Sequence, residues 1–257
     1  MEYLIVALAA CLASGLTLFS GFGLGTLLLP AFVVFFPVPT AVAVTAVVHF
    51  LNNLFKLGLF GRYADRGLVL RFGLPAVVAA FPGAAALVRL TEVPPLTQYR
   101  LFGQEAQLTV VNLVIAGLML VFAGLELMPI GPSLKIPKTW LPVGGLMSGF
   151  FGGLSGHQGA LRAAFLLRSV DTKEQFLGTG IVIACLVDVA RLGVYGTQLS
   201  WTAPNDHQGL LVTAVLSAFA GALIANRMLP KVQMRAIRVL VAVLLAVMAL
   251  GIGLGLL

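Results

Sequence analysis

"SGFFGGLSGHQGALRAAF" (148–165) sets a His, a Gln and an Arg inside a stretch that is otherwise apolar and rich in Gly. What lies around it is more apolar still. Soluble domains average roughly 25% charged residues, whereas this chain of 257 residues has 10%, with 60% hydrophobic residues and a mean hydropathy of +1.04. Residues 3–55 carry no formal charge, and one helical crossing of a bilayer takes about 20 residues. That stretch must enter the membrane more than once. Further uncharged runs at 72–88, 106–125, 139–161, 208–226 and 239–257, with a shorter one at 175–187, bring the expected total to about eight helices at that length. An all-α integral membrane protein follows, a single transmembrane domain spanning 1–257.

Cys11 and Cys185 each stand alone in apolar runs, which excludes a disulfide framework. Residues 3–19 lack the basic n-region and the cleavage site of a signal peptide and are expected as a retained helix. The net charge of +7 comes from short Lys and Arg clusters between hydrophobic runs. Such clusters set membrane orientation, so no nucleic-acid partner is expected.

The chain repeats itself. Ser14-Gly15 matches Ser148-Gly149, and Gly25 matches Gly159, at an offset of 134; Lys56-Leu57-Gly58 matches Arg191-Leu192-Gly193 at 135. Ala80-Phe81-x-Gly83-Ala84 with Arg89 matches Ala218-Phe219-x-Gly221-Ala222 with Arg227 at 138. Duplication of this kind marks many secondary transporters, whose halves rock about a shared site.

Charge decides the orientation of the halves. Of the 16 Lys and Arg, Lys56, Arg162 and Arg191 fall inside apolar runs, leaving 13 in loops. Eight plain crossings put at best eight of the 13 on one side, whereas a hairpin that enters and leaves on the same side at the start of each half puts 11 there. The positive-inside rule favours the hairpins. Each half then makes three crossings, an odd number, so two inverted four-helix repeats are expected. Repeat one takes 1–130 and repeat two 135–257, each beginning with a re-entrant, broken helical hairpin. The breaks should lie at "SGFGLG" (20–25) and "SGHQG" (155–159), where Gly allows unusual backbone angles. Non-helical backbone at membrane depth survives only where protein or a water-filled cavity satisfies its amides.

Polar side chains at that depth are functional candidates. His49, Asn52, Asn53 and Lys56 are spaced i, i+3, i+4, i+7 and share one helical face; Asp188, Arg191 and Tyr195 share another. Asp188 is the repeat mate of Asn53, and Arg191 of Lys56. Plainer roles stay open for each: a core histidine at 49, a Lys56 that snorkels to the surface, an intrahelical Asp188–Arg191 pair, and an Arg162 at the cytoplasmic lip. His157 and Gln158 occupy the expected second break, where free amides and a helix dipole attract anions, and Arg162 follows one turn later. Gly21, Gly23, Gly25 and Gly156 supply the flexible backbone. With Asp188 as the single buried acid expected, Gly21, Gly23, Gly25, His49, Asn52, Asn53, Lys56, Gly156, His157, Gln158, Arg162 and Arg191 make up a candidate anion-binding site. His49, His157 and Asp188 are candidates for proton coupling.

No Walker loop is present, the three histidines lack metal-site spacing, and no nucleophile adjoins them, so neither cofactor, metal nor catalytic residue is expected and the chain is not expected to be an enzyme.

The stretches "SGLTLFSGFGLGTLLLPAFVVFFPVPTAVAVTAVVHFLNNLFK" (14–56), "SGFFGGLSGHQGALRAAFL" (148–166) and "GTGIVIACLVDVARLGVYG" (178–196) resemble the TauE/SafE family of sulfite and organosulfonate exporters. Members often carry a Gly-rich run followed by Pro in both halves. Here Gly21, Gly23, Gly25 and Pro30 keep it in the first half, while His157-Gln158 and Ala164 depart from it in the second. The resemblance implies a secondary transporter that exports small sulfur-containing anions across a bacterial-type inner membrane by alternating access, the anion held where the two re-entrant units meet. A passive anion channel on the same scaffold is the alternative. The expected partners are a small anionic substrate and the lipid bilayer, with homodimerisation left open.

Overall fold

The computed structural model describes residues 2–20, 23–101, 104–128, 137–167, 169–198, 208–228 and 234–257. Gly21 of the candidate site lies outside the described residues, as do Lys135, Arg168 and Lys231 of the charge pattern.

Helix α1 (Glu2–Ser20) ends just before Gly23, whose φ of 116° starts α2 (Leu24–Val33). With 10 residues at 1.5 Å each, α2 is about 15 Å long, half the roughly 30 Å of a hydrocarbon core. Pro37 and Pro39 turn the chain into α3 (Val38–Phe60), which carries Pro in its first turn, where no amide partner is lost. A short α4 (Arg66–Leu68) runs through a π-turn at residues 69–73 into α5 (Leu74–Thr91). Next come an antiparallel hairpin of β1 (Thr97–Leu101) and β2 (Gln104–Leu108), then α6 (Val110–Leu127).

The second half opens with α7 (Leu141–Ser155), a break at Gly156 in the left-handed region (φ 80°), and α8 (Gly159–Leu166). It continues with α9 (Lys173–Gln198), α10 (Gln208–Met228) and α11 (Met234–Gly253). At eight residues α8 is shorter than α2 and is likewise unable to cross a bilayer. It folds back on α7: Ser148 Oγ donates to the Gln158 carbonyl at 3.0 Å, and the Phe165 ring packs over Gly144.

The all-α class expected from composition holds, with the β-hairpin as an addition. Residues 106–108, counted with a hydrophobic run, belong to β2, where "QEAQL" pairs its backbone antiparallel with "TQYRL". Five helical stretches, Val38–Tyr63, Arg66–Thr91, Val110–Leu127, Lys173–Thr197 and Gln208–Arg227, are long and apolar enough to cross a membrane. Large apolar side chains face outward, as on α1 (Leu4, Leu8, Leu12) and α11 (Val243, Val247, Leu250), while charges are buried inside. This arrangement suits lipid as the surrounding medium, making the chain a multi-pass membrane protein.

The bundle is built from matched pairings. α1 packs along α10 and α7 along α5; α3 packs on α9 and α6 on α11. Both of the first two interfaces need glycine. A Cβ on Gly149 would collide with the Ala76 carbonyl of α5, and one on Gly221 with the Cys11 carbonyl of α1, so the backbones approach closely in each. The loops show which ends coincide. Asp65 caps α4, its backbone amide donates to Thr179 Oγ1 (2.9 Å), and Gln175 Nε2 donates to its carboxylate (3.1 Å), so residues 61–66 and the start of α9 share one end. At another point, Tyr99 Oη donates to the Leu254 carbonyl (2.7 Å) and the Gln107 amide to Gly255 (3.2 Å), joining the β-hairpin to the end of α11.

Candidate functional site

Each half contributes a broken hairpin and one long polar-striped helix, and the four meet in the interior. The two breaks are in direct contact, because an ideal Cβ on Gly25 would lie 3.1 Å from the Gly156 carbonyl oxygen. Thr26 Oγ1 donates to the Gly23 carbonyl (2.8 Å) and steadies the first break. In the second, His157 Nδ1 lies 3.1 Å from Ser155 Oγ, and its ring stacks on Phe122 of α6 with centroids 5.3 Å apart. His157 Nε2 is buried with no hydrogen-bond partner among the described residues.

The polar stripe of α3 is fully internal. Lys56 is only 1% exposed, so it does not snorkel. Its Nζ donates to the Ser14 carbonyl of α1 at 3.1 Å. With the Asn52 amide turned so that donors meet acceptors, Asn52 oxygen accepts from the same Nζ at 2.9 Å, and its nitrogen donates to Ser14 Oγ at 2.8 Å and to the Ala218 carbonyl at 3.3 Å. Lys56 and Asn52 thus tie α3 to α1 and α10.

His49 and Asn53, on the same face, look toward α9. His49 Nδ1 donates to Asp188 Oδ2 at 2.6 Å; a carboxylate only accepts, which fixes the proton on that nitrogen. Asn53 Nδ2 rests 3.0 Å from the same ring nitrogen. Asp188 also receives Arg191 Nε at 2.9 Å, has Arg191 Nη2 at 2.7 Å, and takes Gln158 Nε2 at 3.4 Å. The intrahelical Asp188–Arg191 pair therefore exists, as one part of a larger network. Arg191 Nη1 reaches the Gly152 carbonyl of α7 at 3.4 Å, and Tyr195 Oη donates to that of Gly153. Arg162 is 5% exposed, which removes it from any surface lip, and its Nη1 donates to Gln158 Oε1 at 3.4 Å.

Of the residues singled out from sequence, then, His49, Asn53, Gln158, Arg162, Asp188 and Arg191 share one connected cluster. Lys56 and Asn52 form a second, neighbouring one, and Gly25 and Gly156 bring the breaks together. Gly23 and Gly156 take the left-handed angles that glycine permits. Ser14 and Ser148 stand out in the sequence only as repeat landmarks, yet the Ser14 hydroxyl ties the first hairpin to Asn52 of α3 and the Ser148 hydroxyl ties α7 to its own break. One expectation needs correction. Asp188 is not the single buried acid: Glu126, one turn beyond Phe122 on α6, is 3% exposed. Its place directly after the uncharged run 106–125 carries no sign of burial, because a surface position is the usual outcome there. Buried cations still outnumber buried acids three to two among the described residues.

This arrangement offers fork-shaped guanidinium donors, an amide and imidazole N–H groups around one carboxylate, with unwound backbone alongside. Its chemistry is recognition of charge rather than bond making, and among the described residues no cluster of His, Cys, Asp or Glu could hold a metal ion. Against known proteins, no curated protein and no solved structure matches the chain. Residues 5–252, nearly all of it, match the family Sulfite exporter TauE/SafE, and the chain belongs to that family of membrane transporters, which are not enzymes.

Proposed function

We propose that the protein is a secondary transporter that exports a small sulfur-containing oxyanion, such as sulfite or an organosulfonate, across a bacterial-type inner membrane by alternating access. The observation that carries this is the contact between the two helix breaks, Gly25 on Gly156, beside a buried cluster in which cations exceed acids. The anion lies between the breaks. Arg162, Arg191, Lys56, His157 and the amides around Gly23, Gly25 and Gly156 serve as its ligands, Gln158, Asn52 and Asn53 shape the site, and the His49–Asp188 pair handles the coupling proton. Guanidinium groups suit this role because they grip an oxyanion with two parallel hydrogen bonds.

Alternating access rests on two inverted repeats, 1–130 and 135–257. Several contacts support that pairing. Exchanging the halves turns the α1–α10 interface into α7–α5 and returns α3–α9 and α6–α11 to themselves, as a two-fold axis requires. Eight plain crossings would also put residues 61–66 and the start of α9 at opposite ends, yet Asp65 touches Gln175 and Thr179. The same count would separate the β-hairpin from the end of α11, which are bonded to each other.

Flux of radiolabelled sulfite or a sulfonate into proteoliposomes tests the function. Saturable transport that is lost in the Arg162→Ala/Arg191→Ala double variant is expected; unchanged transport in that variant would overturn the anion site.

A further inference from the structure

One carboxylate of the protein itself already sits among the donors gathered at the centre. Asp188 Oδ1 takes Arg191 Nε (2.9 Å) and Gln158 Nε2 (3.4 Å), with Arg191 Nη2 2.7 Å away in the ion pair but without a hydrogen bond of its own, and Oδ2 takes His49 Nδ1 at 2.6 Å. A guanidinium fork, an amide from the helix break and an imidazole N–H from the other half form the kind of set that receives an oxyanion. Two anions cannot share it, because like charges a few ångströms apart repel strongly at low dielectric.

We propose that Asp188 is a built-in surrogate for the transported anion: its carboxylate fills the oxyanion site when the transporter is empty, and an arriving anion displaces it at the cost of one proton. This rests on the anion-transport reading above. As the substrate takes over Arg191 and Gln158, Asp188 turns to His49, accepts the Nδ1 proton at Oδ2, and His49 is reprotonated at Nε2 from the open aqueous side. One anion and one proton enter together. The formal charge of Lys56, Arg162, Arg191 and Asp188, with any bound monoanion, stays at three cations and one anion throughout.

The surroundings offer few competitors for that proton. Facing Asp188 are His49 and Asn53 from α3, Gln158 and Arg162 from the second break and α8, and Arg191, Cys185 and Tyr195 on its own helix, the Tyr195 hydroxyl already donating to the Gly153 carbonyl. α7, packed on α9, has no titratable side chain, and those of residues 61–73 and of α5 (Arg62, Tyr63, Asp65, Arg66, Arg71, Arg89) lie at the helix ends away from the cluster.

Calorimetric titration of the purified full-length protein with isethionate, whose sulfonate stays ionised across the range, tests this at pH 6, 7 and 8 in buffers of differing ionisation heat. The wild type is expected to take up about one proton per anion bound, with Kd rising by up to about tenfold per pH unit, the limit for one linked proton. Asp188→Asn is expected to bind with no proton uptake, no pH slope and at least tenfold tighter at pH 8; binding by the variant alone also supports the proposal. Binding to the wild type without proton exchange overturns it and leaves the anion site standing, as does a folded Asp188→Asn protein that binds with unchanged affinity and slope or not at all. If Asp188→Asn does not fold, the wild-type proton count decides alone. A protein that binds only sulfite is scored by the same count after subtracting sulfite's own ionisation. If neither protein binds isethionate or sulfite, the anion-transport reading fails, and the surrogate role with it.

Discussion

Asp188 of α9 and His49 of α3, 139 residues apart in the chain, meet through a 2.6 Å hydrogen bond in which both groups are buried. The contact joins the two halves at their centre. Removing His49 leaves a buried carboxylate with one donor fewer, and a hydrogen bond to a charged group contributes about 1.5–3 kcal/mol. His49→Ala is therefore expected to lower the thermal unfolding temperature in detergent by an amount matching that range, with His49→Gln, which keeps an N–H donor, losing less. Equal melting of His49→Ala and wild type would show that the contact contributes nothing to holding the halves together.

The close helix approaches make a second expectation sharp. A side chain on Gly149 or Gly221 runs into the backbone carbonyl of Ala76 or Cys11, which cannot swing aside as a flexible side chain can. Overpacking of this kind costs about 1–3 kcal/mol or more, so Gly149→Leu and Gly221→Leu should sharply reduce the yield of monodisperse protein. Gly117 and Gly124 on α6 have open space around them. There Ala should be tolerated or gain about 0.5–1 kcal/mol from lower chain entropy. Gel filtration and melting curves of the four variants check the contrast.

Gly156 combines a left-handed φ of 80° with a neighbour, Arg191 Nη1, only 2.9 Å from where a Cβ would sit. Ala there meets a backbone cost of about 1–2 kcal/mol and pushes the guanidinium off its partners. Gly156→Ala should keep its fold and lose most of its anion flux, whereas Gly58→Ala, with nothing nearby, should transport normally. Proteoliposome flux beside a melting curve separates these outcomes.

Opposed orientation of the halves predicts which loops face the cytoplasm. In a background lacking Cys11 and Cys185, single cysteines at Arg62 or Arg66 should resist a membrane-impermeant thiol reagent added to intact cells. Cysteines at Arg100 or Glu105 of the β-hairpin, both exposed, should react. The reverse pattern, with positions 62 and 66 labelled and positions 100 and 105 protected, is the one eight plain crossings give and would contradict the odd number of crossings in each half.

Much of this was legible in the residues alone. Composition determined that the protein lives in lipid, because a chain this poor in charge cannot cover itself with polar surface. Period and spacing put His49, Asn52, Asn53 and Lys56 on one face, since helix geometry is local. Gly clusters marked both breaks, for a left-handed backbone angle is nearly a glycine property. Only the tertiary structure decided the partners. That Lys56 binds the Ser14 carbonyl instead of reaching for water, that Asp188 serves His49 as well as its own helix neighbour Arg191, and that Glu126 is buried all depend on which helices stand side by side. The β-hairpin was hidden for a related reason: its strands are short, and five-residue segments beside a hydrophobic run carry little signal of their own. Local pattern follows from the covalent chain, whereas the pairing of buried charges follows from packing between segments 42 (Lys56 and Ser14) to 139 (His49 and Asp188) residues apart, where desolvation forces each polar group to find a partner wherever the fold supplies one.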